Sequence, residues 1–136
     1  MRKKALVIEN DPTIRECIEV MYEAEGLDVI TAPDGEHALE LTRQHAPDLI
    51  VSDLYLARLS GIDIFEALRA DPDTGGIPFM FITADARESV RERCLALGAE
   101  AFLLKPFTFD QLMDATHALL GDRSRPDADQ PTRSRS

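Results

Sequence analysis

The sequence predicts an α/β fold, a parallel sheet of five strands with helices on both faces. Three observations carry that prediction. Short apolar runs and amphipathic helical stretches alternate five times along the chain. The central run, Leu49-Ile50-Val51, is apolar at consecutive rather than alternate positions, the pattern of a strand buried on both faces. Four runs also end abruptly on polar groups: Val7-Ile8 on Glu9 and Asn10, Ile50-Val51-Ser52 on Asp53, Phe81-Ile82 on Thr83, and Leu103-Leu104 on Lys105. If the strands are parallel, these endings share the C-terminal edge of the sheet, where open α/β folds build their sites.

Residues 5–8 form the first strand. Asp11-Pro12 then opens a helix, with Asp as N-cap and Pro at the first helical position. That role accounts for Asp11 without metal binding. Ile14, Cys17, Ile18 and Met21 recur at helical spacing and predict the buried stripe, and Gly26 ends the helix. Residues 27–31 are the second strand. Pro33-Asp34-Gly35 turns into a helix with Ala38, Leu41 and His45 on one side, and Pro47 closes that unit. Residues 49–52 are the central strand, followed by a loop over residues 54–59. Ser60 with Asp63 three residues on forms a capping box. It starts a helix that turns Gly61, Ile64, Phe65 and Leu68 inward. A Gly- and Pro-punctuated turn over residues 71–76 leads through Pro78 to the fourth strand, residues 79–83. The next helix, residues 87–97, is predicted to bury Ala86, Val90, Cys94 and Leu97 before Gly98 stops it. Residues 101–104 are the fifth strand. Thr108 with Gln111 caps a last helix whose stripe is Phe109, Leu112, Met113, Thr116 and Leu120.

At 136 residues the chain is long enough for one domain with a real core. No apolar run approaches the roughly 18 residues of a membrane span. The run after the basic Met1-Arg2-Lys3-Lys4 is too short for a signal-peptide core, so a cytoplasmic location is expected and no membrane partner. The formal net charge is −10, and the four Arg and three Asp after Gly121 leave −11 on the body. Direct nucleic-acid binding needs a basic footprint and is not expected. Cys17 and Cys94 have no metal or CxxC spacing and read as buried reduced thiols. His37, His45 and His117 match no zinc pattern and read as partly exposed helix residues. Residues 122–136 are rich in Arg, Ser, Asp and Pro. They are expected to form a disordered tail behind a domain of residues 1–121.

With these residues in order, the sequence resembles the receiver domain of two-component response regulators, in layout the single-domain chemotaxis type. The likeness covers residues 4–120. It rests on Glu9-Asn10, Asp53, Thr83-Ala84 and Lys105-Pro106-Phe107, each at a strand end. The resemblance implies a flavodoxin-like fold with strand order 2-1-3-4-5, and that Asp53 accepts a phosphoryl group. A carboxylate is a poor nucleophile unless the incoming group is polarised and its charge screened. Mg²⁺, a hard cation with a preference for oxygen ligands, does both. The implied ligands are Asp53, Asn10, the backbone carbonyl of Tyr55, and water held by Glu9. Lys105 is then a compact positive charge on one phosphoryl oxygen, and Thr83 donates its hydroxyl to another. Phe102 matches the family's aromatic switch position, where a ring rotates into space that Thr83 vacates. Without a hydroxyl it would act by packing alone. Pro106 implies a cis Lys105–Pro106 peptide, the minority isomer on sequence alone. Tyr55 and Asp85, each two residues past a site residue, occupy positions that tune hydrolysis of the aspartyl phosphate in the family.

The implied phosphodonor is a histidine kinase or phosphotransfer protein docking near the first helix. The implied readout surface is the fourth helix, fifth strand and fifth helix, and with no effector domain following, output is expected through a separate protein. Such a chain is a signalling phosphoacceptor with at most weak self-phosphorylation and slow dephosphorylation, not an enzyme in the usual sense. Three positions depart from the family pattern. Asn10 stands where a second acid is usual, Glu9 replaces Asp, and Ala57 stands where Pro is usual. Asn10 is the best argument for a rival reading, a phosphorylation-independent pseudo-receiver that acts only as an interaction module. A flavin or nucleotide binder would need a Ser/Thr/Gly-rich loop where Glu9-Asn10-Asp11-Pro12 stands. An Asp-nucleophile phosphatase with a DxD motif is excluded by Asp53-Leu54-Tyr55.

Overall fold

The structure is a computed structural model that describes residues 2–121; the expectation for residues 122–136 lies outside them. Strands and helices alternate throughout: β1 (Lys4–Ile8), α1 (Pro12–Ala24), β2 (Asp28–Ala32), α2 (Gly35–His45), β3 (Leu49–Asp53), α3 (Gly61–Ala70), β4 (Phe79–Thr83), α4 (Glu88–Ala96), β5 (Ala101–Leu104) and α5 (Phe109–Leu120). The sheet is parallel in the order β2-β1-β3-β4-β5, as the resemblance implies. β3 and β4 lie inside the sheet and are buried at every residue. That burial is why their sequences are apolar runs rather than alternations.

Alternate strand residues feed two cores. Leu6, Ile8, Ile50, Phe79 and Phe81 pack with Ala38 of α2, Ile64, Phe65 and Leu68 of α3, and Cys94 of α4. Ala5, Val7, Leu49, Val51, Met80 and Ile82 pack with Ile18 and Tyr22 of α1 and Leu112 and Met113 of α5. The helix starts follow the sequence reading. The Asp11 side chain accepts from the Thr13 and Ile14 N–H groups. Ser60 with Asp63, and Thr108 with Gln111, form reciprocal capping boxes.

Several inward-facing assignments need correction. Cys17 is exposed, and α1 instead buries Ile18 and Tyr22. Tyr22 takes the central place because its phenol meets Thr116 Oγ1 at 2.7 Å across the α1–α5 seam, which satisfies the polar end of a large ring. His45 is exposed and Thr42 is buried in its stead, its hydroxyl donating to the Ala38 carbonyl at 2.7 Å. His117 is buried rather than partly exposed, with Nε2 2.6 Å from Glu25 Oε2. Ala86 precedes the N-cap of α4, and Leu97 follows its last turn. Neither therefore lies on the buried face, and both are exposed. Phe109, the first residue of α5, is also exposed.

Candidate functional site

The register brings the four strand ends to one edge. Ile8 pairs with Ser52, Asp53 with Ile82, and Thr83 with Leu104. Two backbone bonds extend the ladder by one residue. Glu9 N–H donates to the Ala32 carbonyl at 3.1 Å, and Lys105 N–H donates to the Thr83 carbonyl at 2.8 Å. Glu9 and Lys105 are thereby held on the sheet although each follows its strand. The Lys105–Pro106 peptide is cis.

Glu9, Asp53 and Lys105 make one ionic cluster. Lys105 Nζ donates to Glu9 Oε1 at 2.8 Å and to Asp53 Oδ2 at 3.1 Å. Glu9 is 1% exposed and Asp53 8%. The second Glu9 oxygen accepts the Asp11 N–H at 3.0 Å, and Arg15 Nη1 donates to the Glu9 carbonyl at 2.8 Å. Asp53 Oδ1 accepts the Tyr55 N–H at 3.3 Å. Burial raises the Glu9 carboxyl above its ordinary range, with a contribution from the Asp53 charge, against the hydrogen bonds from Lys105 and the Asp11 N–H. Burial also works against the Lys105 charge, but the bond to Glu9 and the two carboxylate charges outweigh it and raise the ammonium.

Thr83 and Phe102 lie on the other side of the sheet edge. Phe81 pairs with Phe102 and belongs to the α2–α3–α4 core, against which Phe102 packs half-buried. Strand alternation puts Thr83, two residues past Phe81, on that same face. Thr83 is buried, and its Oγ1 accepts the Asp85 N–H at 3.1 Å. Asp85 in turn meets Tyr55 and Arg87 through its side chain. Arg87 was not singled out in the sequence. Its only signal is an arginine two residues after an acid in a loop, which no periodicity marks.

Among the described residues there is no group of three or more His, Cys, Asp or Glu side chains that could hold a metal ion. Two carboxylates converge, so a cation here would draw further ligands from the exposed Asn10 amide, the Tyr55 carbonyl and water. That donor set is all hard oxygen. The residues therefore fit Mg²⁺, with one negative charge fewer than an acid at position 10 would supply.

The family model described as the response regulator receiver domain matches residues 5–117. The phosphate regulon transcriptional regulatory protein PhoB of Rhizobium meliloti is 35% identical over 127 residues, 93% of this chain and 56% of PhoB. The chain thus spans about half the length of that relative. The polar-differentiation response regulator DivK of Brucella anthropi is 31% identical over 122 residues, covering 90% of this chain and 99% of DivK. A similar solved structure is the receiver domain of a sensor histidine kinase from Pseudomonas aeruginosa, with a magnesium ion coordinated in its active site cleft. It matches with a TM-score of 0.82 and 28% identity, over 89% of this chain and 99% of that domain.

Proposed function

The chain belongs to the response regulator receiver domain family of two-component systems, and from that premise we propose that it accepts a phosphoryl group on Asp53 and switches a protein-interaction surface. One observation carries this reading. A nucleophilic carboxylate, a buried acid and an ammonium meet at one sheet edge within 2.8 and 3.1 Å. The phosphodonor is a histidine kinase or phosphotransfer protein. An Asp53 oxygen attacks the phosphorus, a new P–O bond forms, and the donor's leaving group departs with the electron pair of the old bond. Lys105 turns from its carboxylates to one phosphoryl oxygen. Thr83 donates its hydroxyl to another while its Oγ1 keeps the Asp85 N–H. Mg²⁺, when bound by Asp53, the Asn10 amide, the Tyr55 carbonyl and water on Glu9, supplies charge screening of the phosphoryl oxygens.

Output runs from Thr83 through Phe102, which share a face, to α4, β5 and α5. Two features support that surface. α4 buries only Cys94 fully, so it is loosely held. Leu97, Leu104 and Phe109 are large apolar side chains exposed on α4's end, β5 and α5, available to a separate effector protein. The kinase docks near α1 on this reading, which the exposed Glu16 and Glu23 support.

Intact-mass measurement after incubation with a small acyl phosphate and Mg²⁺ tests the proposal. Wild type should gain one phosphoryl group and Asp53→Asn none; no gain in wild type refutes it. A phosphorylation-independent interaction module is the second reading. It is favoured by Asn10 and by a lysine that already neutralises part of the acid pair, and the same experiment separates the two.

The charge missing at position 10 gives a further expectation. Asn10→Asp should lower the Mg²⁺ concentration for half-maximal phosphoryl uptake about ten- to a hundredfold, the effect of one added charge beside a divalent ion after desolvation. Superimposable titration curves for the two proteins would count against any role of Asn10 at the cation.

A further inference from the structure

Tyr55 meets Asp85 and Arg87 across two neighbouring connections of the sheet edge. Tyr55 lies in the β3–α3 loop, Asp85 in the β4–α4 loop, and Arg87 is the N-cap residue of α4. The Tyr55 hydroxyl donates to Asp85 Oδ2 at 2.5 Å. Arg87 grips the same carboxylate as a fork, Nε to Oδ1 at 2.9 Å and Nη2 to Oδ2 at 2.7 Å. Arg87 Nη2 also lies 3.4 Å from the Tyr55 hydroxyl. Both ends of this cluster are tied to the site by backbone N–H groups, Tyr55 to Asp53 Oδ1 at 3.3 Å and Asp85 to Thr83 Oγ1 at 3.1 Å.

The cluster reaches α4 as well. No side chain caps that helix. The Arg87 carbonyl accepts the amides of Val90 and Arg91, the third and fourth residues of the helix, at 3.1 and 3.3 Å. Cys94 is the one fully buried residue of α4, and Val90, half-buried against the core, is the apolar residue of its first turn.

We propose that Arg87 is a positioning residue that fastens Tyr55 and Asp85 into a single latch across the phosphoacceptor, so that the lifetime of phosphoryl-Asp53 and the fraying of the first turn of α4 are set together. The lifetime half rests on the reading of Asp53 as phosphoacceptor; the α4 half does not. Hydrolysis requires water to reach phosphorus. A P–O bond forms to the water oxygen, the bond to Asp53 breaks with its electron pair returning to the carboxylate, and both water protons leave with inorganic phosphate. The latch is coupled to these atoms through the backbone N–H groups of Tyr55 and Asp85, which donate to the Asp53 carboxylate and the Thr83 hydroxyl. A planar guanidinium suits the task, since it holds both oxygens of one carboxylate at fixed geometry and an ammonium does not. Consistent with a closed latch, the Arg87 fork holds the Asp85 carboxyl well below the usual carboxylate range, and the Asp85 bond raises the Tyr55 phenol. An isolated exposed ion pair contributes little. Three groups closing one ring of bonds act as a unit, and non-additivity is the signature of such a unit.

The test uses the full chain with Tyr55→Phe, Arg87→Ala and the double variant. The single changes remove the phenol oxygen and the fork, and neither touches the core. In unphosphorylated, metal-free protein, amide exchange at Val90 and Arg91 should speed up about three- to tenfold in each single variant and no further in the double, the scale of one net hydrogen bond. Tyr55 lies outside α4, so unchanged exchange there in Tyr55→Phe overturns the latch. Decay of phosphoryl-Asp53, followed by intact mass, should be about three- to tenfold faster in each single variant, with the double matching the faster single. Arg87→Lys, which keeps the charge without the fork, should fall between wild type and Arg87→Ala. Decay rates that multiply in the double variant overturn the latch as well. If wild type never loads Asp53, the phosphoacceptor reading fails by itself, and the exchange comparison still decides the latch.

Discussion

Lys105→Met is expected to reduce phosphoryl uptake on Asp53 about a hundredfold, the scale of removing one preorganised donor from a developing oxyanion. The same substitution should alter the dependence of stability on pH. Lys105 Nζ sits between Glu9 and Asp53, and methionine preserves bulk while leaving two carboxylates facing each other without a cation. The Glu9 carboxyl is raised by burial and by the Asp53 charge, and Lys105 opposes that rise. Removing Lys105 therefore lifts Glu9 further. A carboxyl raised in the folded state binds its proton more tightly there than when unfolded. Its contribution is fully present below the unfolded value and is lost as pH rises through the folded value. In metal-free buffer the variant should thus be less stable than wild type by about 1–3 kcal/mol near pH 8, discounted for the partial exposure of the lysine head. The deficit should shrink near pH 5, where the proton replaces the ammonium. Lys105 is itself raised, so wild type also loses stability as pH climbs through the folded lysine value, a loss the variant lacks. Urea midpoints across this range check the prediction. A deficit of equal size at both ends would show that the ammonium does not govern Glu9.

Gly61→Ala should cost about 2–3 kcal/mol of stability, at the upper end of ordinary overpacking. A Cβ on Gly61 would stand 2.4 Å from the Asp53 carbonyl oxygen, 3.1 Å from Leu54 Cα and 3.1 Å from Phe81 Cε1. Two of these three neighbours are backbone atoms and cannot rotate aside. Gly61 N–H also donates to the Leu54 carbonyl at 2.9 Å, which presses the start of α3 against the end of β3. Relief would come from moving α3 or from displacing the segment that carries Asp53 and Tyr55, so phosphoryl uptake should fall along with stability. Gly76→Ala is the control. No atom lies within 4 Å of its Cβ position, and its effect should stay within about 0.5 kcal/mol. Equal urea midpoints for the two variants would mean that the close approach at Gly61 does not constrain the strand end.

Much of this molecule could be read from the order of its residues. The apolar runs over residues 49–51 and 79–82 have the composition of doubly covered strands. Each is punctuated by helix starts that name themselves, Asp11-Pro12, Ser60 with Asp63, and Thr108 with Gln111. Those signals are local, since period, caps and turns act over a few residues, and the observed elements follow them closely. The polar groups gathered at the sheet edge were legible for the same reason. A parallel connection returns every strand in one direction and so delivers Glu9, Asp53, Thr83 and Lys105 to one edge.

Which side chain meets which across that edge was decided only by the tertiary structure. α1 offered Cys17 and Tyr22 comparable places near its stripe, and Thr116, ninety-four residues away, selected Tyr22. His117 is buried because Glu25 lies opposite it across the α1–α5 seam, and Lys105 bridges Glu9 and Asp53 because its long side chain reaches back from β5 past the end of β4. Arg87 joins Tyr55 and Asp85 only because two loops on neighbouring strands are brought side by side. Helical and strand periods encode the direction in which a residue faces its own element. The partner it finds there depends on loop closure between distant segments, and that information exists in the folded chain alone.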